Sequence, residues 1–360
     1  MRSGLNTTLE IAPSEARREM TEGVDLVDIR TAEERVTGTV SGALEMTAEQ
    51  VRRRFGKDPG WRVNLICAGG ARSLVLTATL RRAGIEGARS VAGGLDRWQS
   101  MGLPVERAEQ VPQEHAERFA RHLVLPQVGP KGQARLQSAR VLLAGLGGLN
   151  SPVALYLAAA GVGTLGLVDF DRVERSNLQR QVLYGDEDVG HPKTAAARRR
   201  LQQVNPELRC DVIDERINSG NAEWLVSGWD VVVDGTDNLR ARHALNAACV
   251  AAGIPLVFGA VARFQGQVSV FWPASEPGEA PCLNCLIPES GTESDPPSCA
   301  EAGVLGVVPG IVGTLQAAEA LKILLKTGEP LVGSLLVIDA LTMDFRRMKV
   351  RPDPACPVCG

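Results

Sequence analysis

Residues with the types and spacing to do chemistry fall into three groups along this chain. The first opens with "RVLLAGLGGLNSP" (140–152), an apolar strand running into Gly145, Gly147 and Gly148. A glycine turn at that place brings backbone N–H groups close to a phosphate at a helix N-terminus. The sixth position of a dinucleotide fingerprint would be glycine or alanine; here it is Asn150, which with Ser151 and Pro152 suits a helix start as an N-cap. The next apolar run ends "LVDFD", placing Asp169 where an acidic residue takes ribose hydroxyls, which still admits NAD. Behind it come Arg180 in "SNLQRQ", Lys193 in "GHPK" and Asp237 in "DGTDN". Two cations and a carboxylate after one phosphate loop suit a triphosphate with its magnesium, because charge on transferring oxygens must be neutralised. Singly, Arg180 and Lys193 also read as solvated charges and Asp237 or Asn238 as a helix cap; their order along the chain favours the nucleotide.

The second group is cysteine. "CLNC" supplies Cys282 and Cys285, and "CPVC" supplies Cys356 and Cys359, four of the eight cysteines in the chain. Two such pairs make a closed tetrahedral zinc site, structural because it keeps no open position; redox dithiols or buried thiols are the alternatives. Cys210 and Cys249, on a strand and a helix, read as core residues. The third group is "LICAGGARS", with Cys67 at the end of an apolar strand, Gly69 and Gly70 behind it and Arg72 at a helix start. Loop N–H groups, a helix N-terminus and a guanidinium converge there and favour a thiolate or a persulfide anion. A buried cysteine before a glycine turn is the plain alternative. A cysteine phosphatase uses a similar loop with five residues between cysteine and arginine; this shorter loop suits a sulfur atom better than a phosphate.

Positioning these groups takes two α/β units. Residues 1–106 alternate short apolar runs (LVDI, VNLIC, the stretch around Val91) with helical stretches such as "ARSLVLTATLRRAG", and 107–117 is a polar linker without apolar period. From 118 to 360 the apolar pattern predicts strands at 140–145, 164–169, 208–213, 230–234, 255–259, 266–271 and 333–338. Helices are expected near 152–160, 193–204, 238–252 and 310–326. The alternation in the first half of this unit implies a parallel, doubly wound, Rossmann-like sheet with its ligand at the carboxyl ends of the strands. The 360 residues are 44% hydrophobic and 22% charged, with a net charge of −3, which makes no electrostatic case for nucleic acid or an anionic membrane. The N-terminal twenty residues have no apolar signal region and no long uncharged apolar stretch follows, so the expected location is cytoplasmic, where cysteines stay reduced.

The ordered run "GLGGL…LVDFDRVERSNLQRQ…VGHPK…DGTDN" resembles the ThiF and MoeB adenylyltransferases, bacterial relatives of the ubiquitin-activating enzymes, over residues 118–360. The resemblance implies that Gly148 lines the phosphates and Asp169 takes the ribose. It also implies that Ser176, Asn177 and Arg180 approach the triphosphate, that Lys193 contacts the α-phosphate region, and that Asp237, with Asn238 beside it, holds magnesium. "RFARHLVL" matches the family's start, and Arg121 corresponds to an arginine reaching the neighbouring subunit's nucleotide, which implies a homodimer. Many members carry the two cysteine pairs. "CAEAGV" matches the family's loop cysteine, so Cys299 is expected to form a thioester or acyl disulfide with the carrier. The implied reaction joins the C-terminal glycine carboxylate of a small ubiquitin-like sulfur carrier (MoaD or ThiS type, ending Gly-Gly) to AMP from ATP.

With "LVDIRTAEE", "VAGGLDRW" and "GLPVE", residues 5–106 resemble a single-domain rhodanese, a sulfurtransferase carrying sulfur as a cysteine persulfide. That implies Cys67 as the carrier, Asp28 and Arg30 as framework, and a cysteine desulfurase or thiosulfate as donor. The chain departs from the family in having "GTVSGA" where G-H-I-P-G-A is common, with no histidine in residues 1–114. The two resemblances complement one another, since an acyl-adenylate needs a sulfur nucleophile to become a thiocarboxylate. An NAD-dependent dehydrogenase, a weakly catalytic scaffold that docks carriers, and activation of a small peptide are the competing expectations.

Overall fold

The structure is a computed structural model that describes residues 9–35, 38–55, 60–106, 113–289 and 303–360. Two compact units divide it, Met1–Lys131 and Gly132–Gly360. The expected linker 107–117 lies largely outside the described residues.

The first unit is built on five short strands: β1 (Glu10–Ile11), β2 (Asp25–Asp28), β3 (Leu44–Glu45), β4 (Arg62–Ile66) and β5 (Gly87–Val91). They pair in parallel in the order β1-β5-β4-β2-β3. Parallel strands are covered on both faces, and β2, β4 and β5 are buried along most of their length for that reason. One face packs Val27, Val63, Leu65, Leu76 and Leu80 around Phe55; the other packs Leu26, Ile66 and Val91 around the fully buried Trp98. Cys67 follows the central strand β4 directly.

The second unit has eight strands: β6 (Arg140–Ala144), β7 (Thr164–Val168), β8 (Arg209–Ile213), β9 (Val231–Asp234), β10 (Leu256–Ala262), β11 (Gln265–Phe271), β12 (Ser334–Asp339) and β13 (Asp344–Lys349). Their order is β13-β12-β11-β10-β9-β6-β7-β8. From β8 to β10 every pairing is parallel, and from β10 to β13 every pairing is antiparallel. Connectivity reverses between β6 and β9, so the loops at the carboxyl ends of those two strands splay apart and leave a crevice. The expected strands and helices are all present within a few residues of their predicted ends.

Helix Val307–Leu325 is long and apolar enough to cross a membrane by length and composition. In this fold it packs against β9, β10, β11 and helix Asn150–Ala160. Its polar residues face inward with partners: Gln316 donates to the carbonyls of Asp234 (2.8 Å) and Val257 (3.2 Å), and Glu319 accepts from the Leu331 N–H (2.8 Å). Those bonds mark it as a core helix of the unit.

Candidate active sites

The crevice between β6 and β9 is a cavity of about 360 Å³. Gly145, Gly147 and Gly148 line it, together with Asp169, Arg180, Lys193, Asp237 and Asn238, so eight of the residues singled out in the sequence converge. Gly145 has φ +79°, and a Cβ there would stand 3.1 Å from the Gly235 carbonyl oxygen, so glycine is required on both counts. The Leu146 amide is turned by its neighbours: its N–H donates to Oδ2 of Asp169 (2.7 Å) and its carbonyl accepts from the Tyr184 hydroxyl (2.9 Å). Burial raises the Asp169 carboxyl above the usual aspartate range, against the opposing pull of Lys193.

Lys193 is no solvated charge. It is 5% exposed, at the first turn of helix Lys193–Val204, with Nζ 3.0 Å from Asp171 Oδ2 and 3.7 Å from Asp169 Oδ2. An ammonium between two carboxylates on a cavity wall is held in place and keeps a face toward a ligand. Arg180 is anchored by one bond to the Ser176 carbonyl (3.1 Å). Asn238 is the N-cap of helix Leu239–Ala252, its Oδ1 accepting the Ala241 N–H (2.9 Å) while its amide lies 3.4 Å from Asp237 Oδ1. The capping expected of this pair therefore belongs to Asn238, and the Asp237 carboxylate is left at the cavity edge.

Not every expected residue joins the cavity. Ser176 and Asn177 lie on the 3-10 turn Arg175–Asn177 and do not line it. Arg121, expected at a neighbouring subunit's nucleotide, lies on helix Ala120–Leu123 of the first compact unit. Cys299 lies outside the described residues. Conversely, Asp171, Gln181 and Arg242 line the cavity without having been singled out. Arg242 is paired with the fully buried Asp234 (3.6 Å), whose carboxyl burial pushes upward. The second aspartate of "LVDFD" was a visible signal for Asp171. Arg242 carried none, because an arginine on a predicted helix normally faces water.

Asn150 differs from its expected role. The helix begins at Asn150 with Leu149 as N-cap, so Asn150 caps nothing. Its side chain is fully buried beneath the loop, and Nδ2 donates to the carbonyls of Gly145 (2.7 Å), Ala144 (3.1 Å) and Val233 (3.3 Å). It thus stitches β6 to β9 under the glycine turn and does not line the cavity. Gly235 is glycine to make room, since a Cβ there would stand 2.5 Å from that amide nitrogen. Asn150→Gly is expected to lower unfolding free energy by about 1–3 kcal/mol, from lost hydrogen bonds plus glycine's helix cost. Denaturant melts check this, and an unchanged midpoint would refute the stitching role.

The four paired cysteines come together as expected. Sγ separations are 3.5 Å (Cys285 to Cys359), 3.7 Å (Cys282 to Cys356) and 4.0 Å (Cys282 to Cys285), all four atoms lying within 4.8 Å of one another. Sulfurs at the corners of a tetrahedron with metal–sulfur bonds of about 2.3 Å stand about 3.8 Å apart. The cluster could hold a metal and would close the C-terminus onto the loop after Ala280. Cys210 and Cys249 are no part of it: burial pushes the Cys210 thiol up to about 11 and the Cys249 thiol further up, which favours the protonated form of both.

In the first unit, Cys67 is buried and its sulfur accepts the Ser73 N–H (3.4 Å) and lies 3.3 Å from the Ser73 hydroxyl. Its loop is pinned by helix Gly94–Ser100, whose Leu95 and Asp96 N–H groups donate to the carbonyls of Cys67 (2.8 Å) and Ala68 (3.1 Å). Gly94 permits this approach: its φ is +58°, and a Cβ would fall 2.3 Å from the Ala68 oxygen. Asp28 and Arg30 form a buried pair (2.6 Å), and Arg30 also donates to the carbonyls of Glu34 (3.0 Å) and Gly38 (2.6 Å). That is the framework role expected of them, tying the segment after β2 to the unit's interior.

A glycine turn at a sheet crevice, followed by an ammonium set between carboxylates, defines a nucleotide-binding α/β enzyme; a cysteine loop on a parallel sheet defines a sulfur-handling one. The ThiF family matches residues 119–358, and the rhodanese-like domain matches residues 12–101. The chain belongs to the ThiF family and carries an N-terminal rhodanese-like domain; it is an adenylyltransferase and sulfurtransferase. It is 52% identical over 248 residues to the sulfur carrier protein adenylyltransferase of Thermus thermophilus, covering 69% of this chain and 92% of that protein. It is 48% identical over 244 residues to the SAMP-activating enzyme E1 of Haloferax volcanii, covering 68% and 88%. The probable adenylyltransferase/sulfurtransferase MoeZ of Mycobacterium tuberculosis is 46% identical over 260 residues, which are 72% of this chain and 66% of MoeZ. Among solved structures, E. coli MccB with MccA-N7isoASN superposes with a TM-score of 0.60 at 23% identity, over 70% of this chain and 83% of that one, a likeness of fold.

Proposed function

We propose that this chain adenylates the C-terminal glycine of a ubiquitin-like sulfur carrier of MoaD or ThiS type and delivers to it sulfur held on Cys67. The observation that carries the reading is the convergence of the glycine turn, Lys193 and Asp237 on one cavity in a chain that also holds Cys67 in an anion-stabilising loop. The relatives' names as sulfur carrier adenylyltransferases and sulfurtransferases support it.

The carrier carboxylate attacks the α-phosphorus of ATP, the bond to the bridging oxygen breaks, and pyrophosphate leaves with the electron pair. A carboxylate is already a nucleophile, so no general base is required; positioning and charge neutralisation do the catalysis. Gly145, Gly147 and Gly148 present the turn to the phosphates, Asp169 takes the ribose, and Arg180 and Lys193 spread the charge of the transferring group. Ser176 and Asn177 approach the triphosphate from their turn. Asp237, with Asn238 beside it, would hold Mg²⁺, which offsets charge on the leaving pyrophosphate. The outer sulfur of a Cys67 persulfide then attacks the acyl carbon and AMP leaves, giving an acyl disulfide. One thiol equivalent opens that S–S bond to release the thiocarboxylate, and Cys299, by the family resemblance, is the residue proposed to hold the carrier as a thioester or acyl disulfide.

Cys282, Cys285, Cys356 and Cys359 would hold Zn²⁺, and their tetrahedral spacing and all-thiol chemistry fit that ion. Metal analysis of the purified chain should give about one zinc per chain by a closed four-cysteine site; zinc-free folded protein would refute it. A homodimer in which Arg121 reaches the partner's nucleotide, a connection at 107–117 and a cytoplasmic setting that keeps the thiols reduced complete the proposal. The decisive experiment is exchange of labelled pyrophosphate into ATP with candidate carriers ending in Gly-Gly. Carrier-dependent exchange is expected; its absence with every carrier tried would overturn the adenylation reading.

A further inference from the structure

The one cation within the Cys67 loop and the first turn of the helix after it is Arg72, and it is already engaged. Both of its terminal nitrogens donate to the Glu34 carboxylate, at 3.0 and 2.5 Å. The position of that carboxylate is fixed locally. It accepts the Thr31 N–H (2.9 Å) while the Thr31 hydroxyl accepts the Glu34 N–H (3.3 Å), a reciprocal cap at the start of helix Ala32–Arg35. Arg72 holds the Glu34 carboxyl down to about 2, so it stays ionised at any working pH. Arg72 and Ser73 are neighbours at the start of helix Ala71–Arg82, so the guanidinium that pairs with Glu34 and the N–H that reaches the Cys67 sulfur leave the same turn.

Other charged groups described around the loop come as opposites. Asp96, whose Oδ2 would stand 3.6 Å from a Cβ on Gly69, and Arg97, whose stem packs over Gly93, flank it on helix Gly94–Ser100. Arg30 is paired with Asp28, and Arg35 with Glu45 at 3.2 Å. Among these described residues the positive charges flanking the loop have negative ones beside them, so they offer an incoming donor little net positive charge.

Sulfur donors differ in the charge they bring. Thiosulfate is a dianion that leaves as sulfite, whereas a persulfide on an organic thiol carries at most one charge at sulfur. We propose that Glu34, by pairing with Arg72, sets the donor preference of the Cys67 loop, against thiosulfate and toward a persulfide borne on an organic thiol. The proposal rests on Cys67 being the sulfur carrier. In the loading step the Cys67 thiolate attacks the outer sulfur of R–S–SH. The donor's S–S bond breaks, its electron pair leaves with RS⁻, and the proton remains on the outer sulfur of the new Cys67 persulfide.

The test is Glu34→Gln in the full chain, which keeps an acceptor for Thr31 and Arg72 and removes only the charge. Sulfur transfer to cyanide is measured from thiosulfate and from ethyl persulfide. Removing one charge several ångströms from a bound dianion should raise kcat/KM for thiosulfate about five- to tenfold at low ionic strength, fading as salt is added, with at most about a threefold gain for the monoanionic persulfide. Glu34→Asp should keep the wild-type ratio of the two donors. Thr31→Ala, which loosens the cap without changing charge, should also keep it. Loading by a cysteine desulfurase charged with cysteine, compared with ethyl persulfide, tells a protein-borne source from a small one, and either rate above that of thiosulfate supports the proposal. A ratio unmoved in Glu34→Gln while Cys67 loads normally would overturn the role of Glu34 alone. If neither donor loads Cys67, the sulfur-carrier reading falls with it.

Discussion

Cys67→Ala should abolish sulfur transfer, by more than about a thousandfold, because the nucleophile that forms the covalent intermediate is gone. Carrier-dependent pyrophosphate exchange should stay within about twofold of wild type, since that step needs no covalent catalysis by the protein. The expectation rests on geometry local to the first unit. The sulfur accepts the Ser73 N–H at 3.4 Å, and the Ser73 hydroxyl, 3.3 Å away, also bonds the Gly70 carbonyl (3.0 Å) and receives the Ser90 hydroxyl (2.8 Å). Alanine leaves this polar chain intact apart from the sulfur and fits where the buried cysteine stood. The measurement pairs thiocarboxylate formation, followed by mass, with exchange on the same preparation. Thiocarboxylate appearing at the wild-type rate would show that sulfur reaches the carrier by another thiol.

The element pattern was most legible where central parallel strands are covered on two faces and read as short apolar runs, such as "VLLA" in β6 and "VVV" in β9. Strand β13 escaped for the opposite reason. "DFRRMK" is exposed at every position, and a strand exposed on both faces at a sheet edge has no periodicity to detect. Strands β11 and β12 were visible as apolar runs but their antiparallel direction was not, because such runs report burial and not strand direction.

At the site, residues visible by type and order in the sequence did converge, but their partnerships were not visible. Lys193 finds Asp171 across 22 positions, and Asn150 reaches Val233 across 83. Such contacts are set by which strands neighbour one another at the crevice. The reversal of the Asn150 expectation follows: from local sequence an asparagine before Ser-Pro reads as a cap, whereas its amide turns inward to two carbonyls at the end of β6 and to a third, Val233, that only the adjacency of β9 supplies. The zinc-type cluster needed no such information, because ligand type and the C-x-x-C spacing define each half before the chain folds.

Lys193→Met should lower the carrier-dependent exchange rate by about a hundred- to a thousandfold, the loss typical of removing one preorganised positive or hydrogen-bonding group from a charge-developing transition state. The loss should fall on kcat more than on KM for ATP, since spreading charge over the transferring oxygens matters most as the bond to pyrophosphate breaks. Methionine fills the space of the lysine stem, so the packing at the start of its helix is kept and the missing group is the ammonium. A second effect identifies the mechanism. The ammonium stands 3.0 Å from Asp171 and 3.7 Å from Asp169, and it opposes the burial that raises the Asp169 carboxyl. Without it the Asp169 carboxyl rises further, so at a given mildly acidic pH less of it is ionised. The acid limb of the rate profile should therefore move to higher pH in Lys193→Met. A residue that merely buttressed the fold would lower activity with the pH profile in place, and a profile that did not move would assign Lys193 to the scaffold. Exchange at the wild-type rate would remove it from the site altogether.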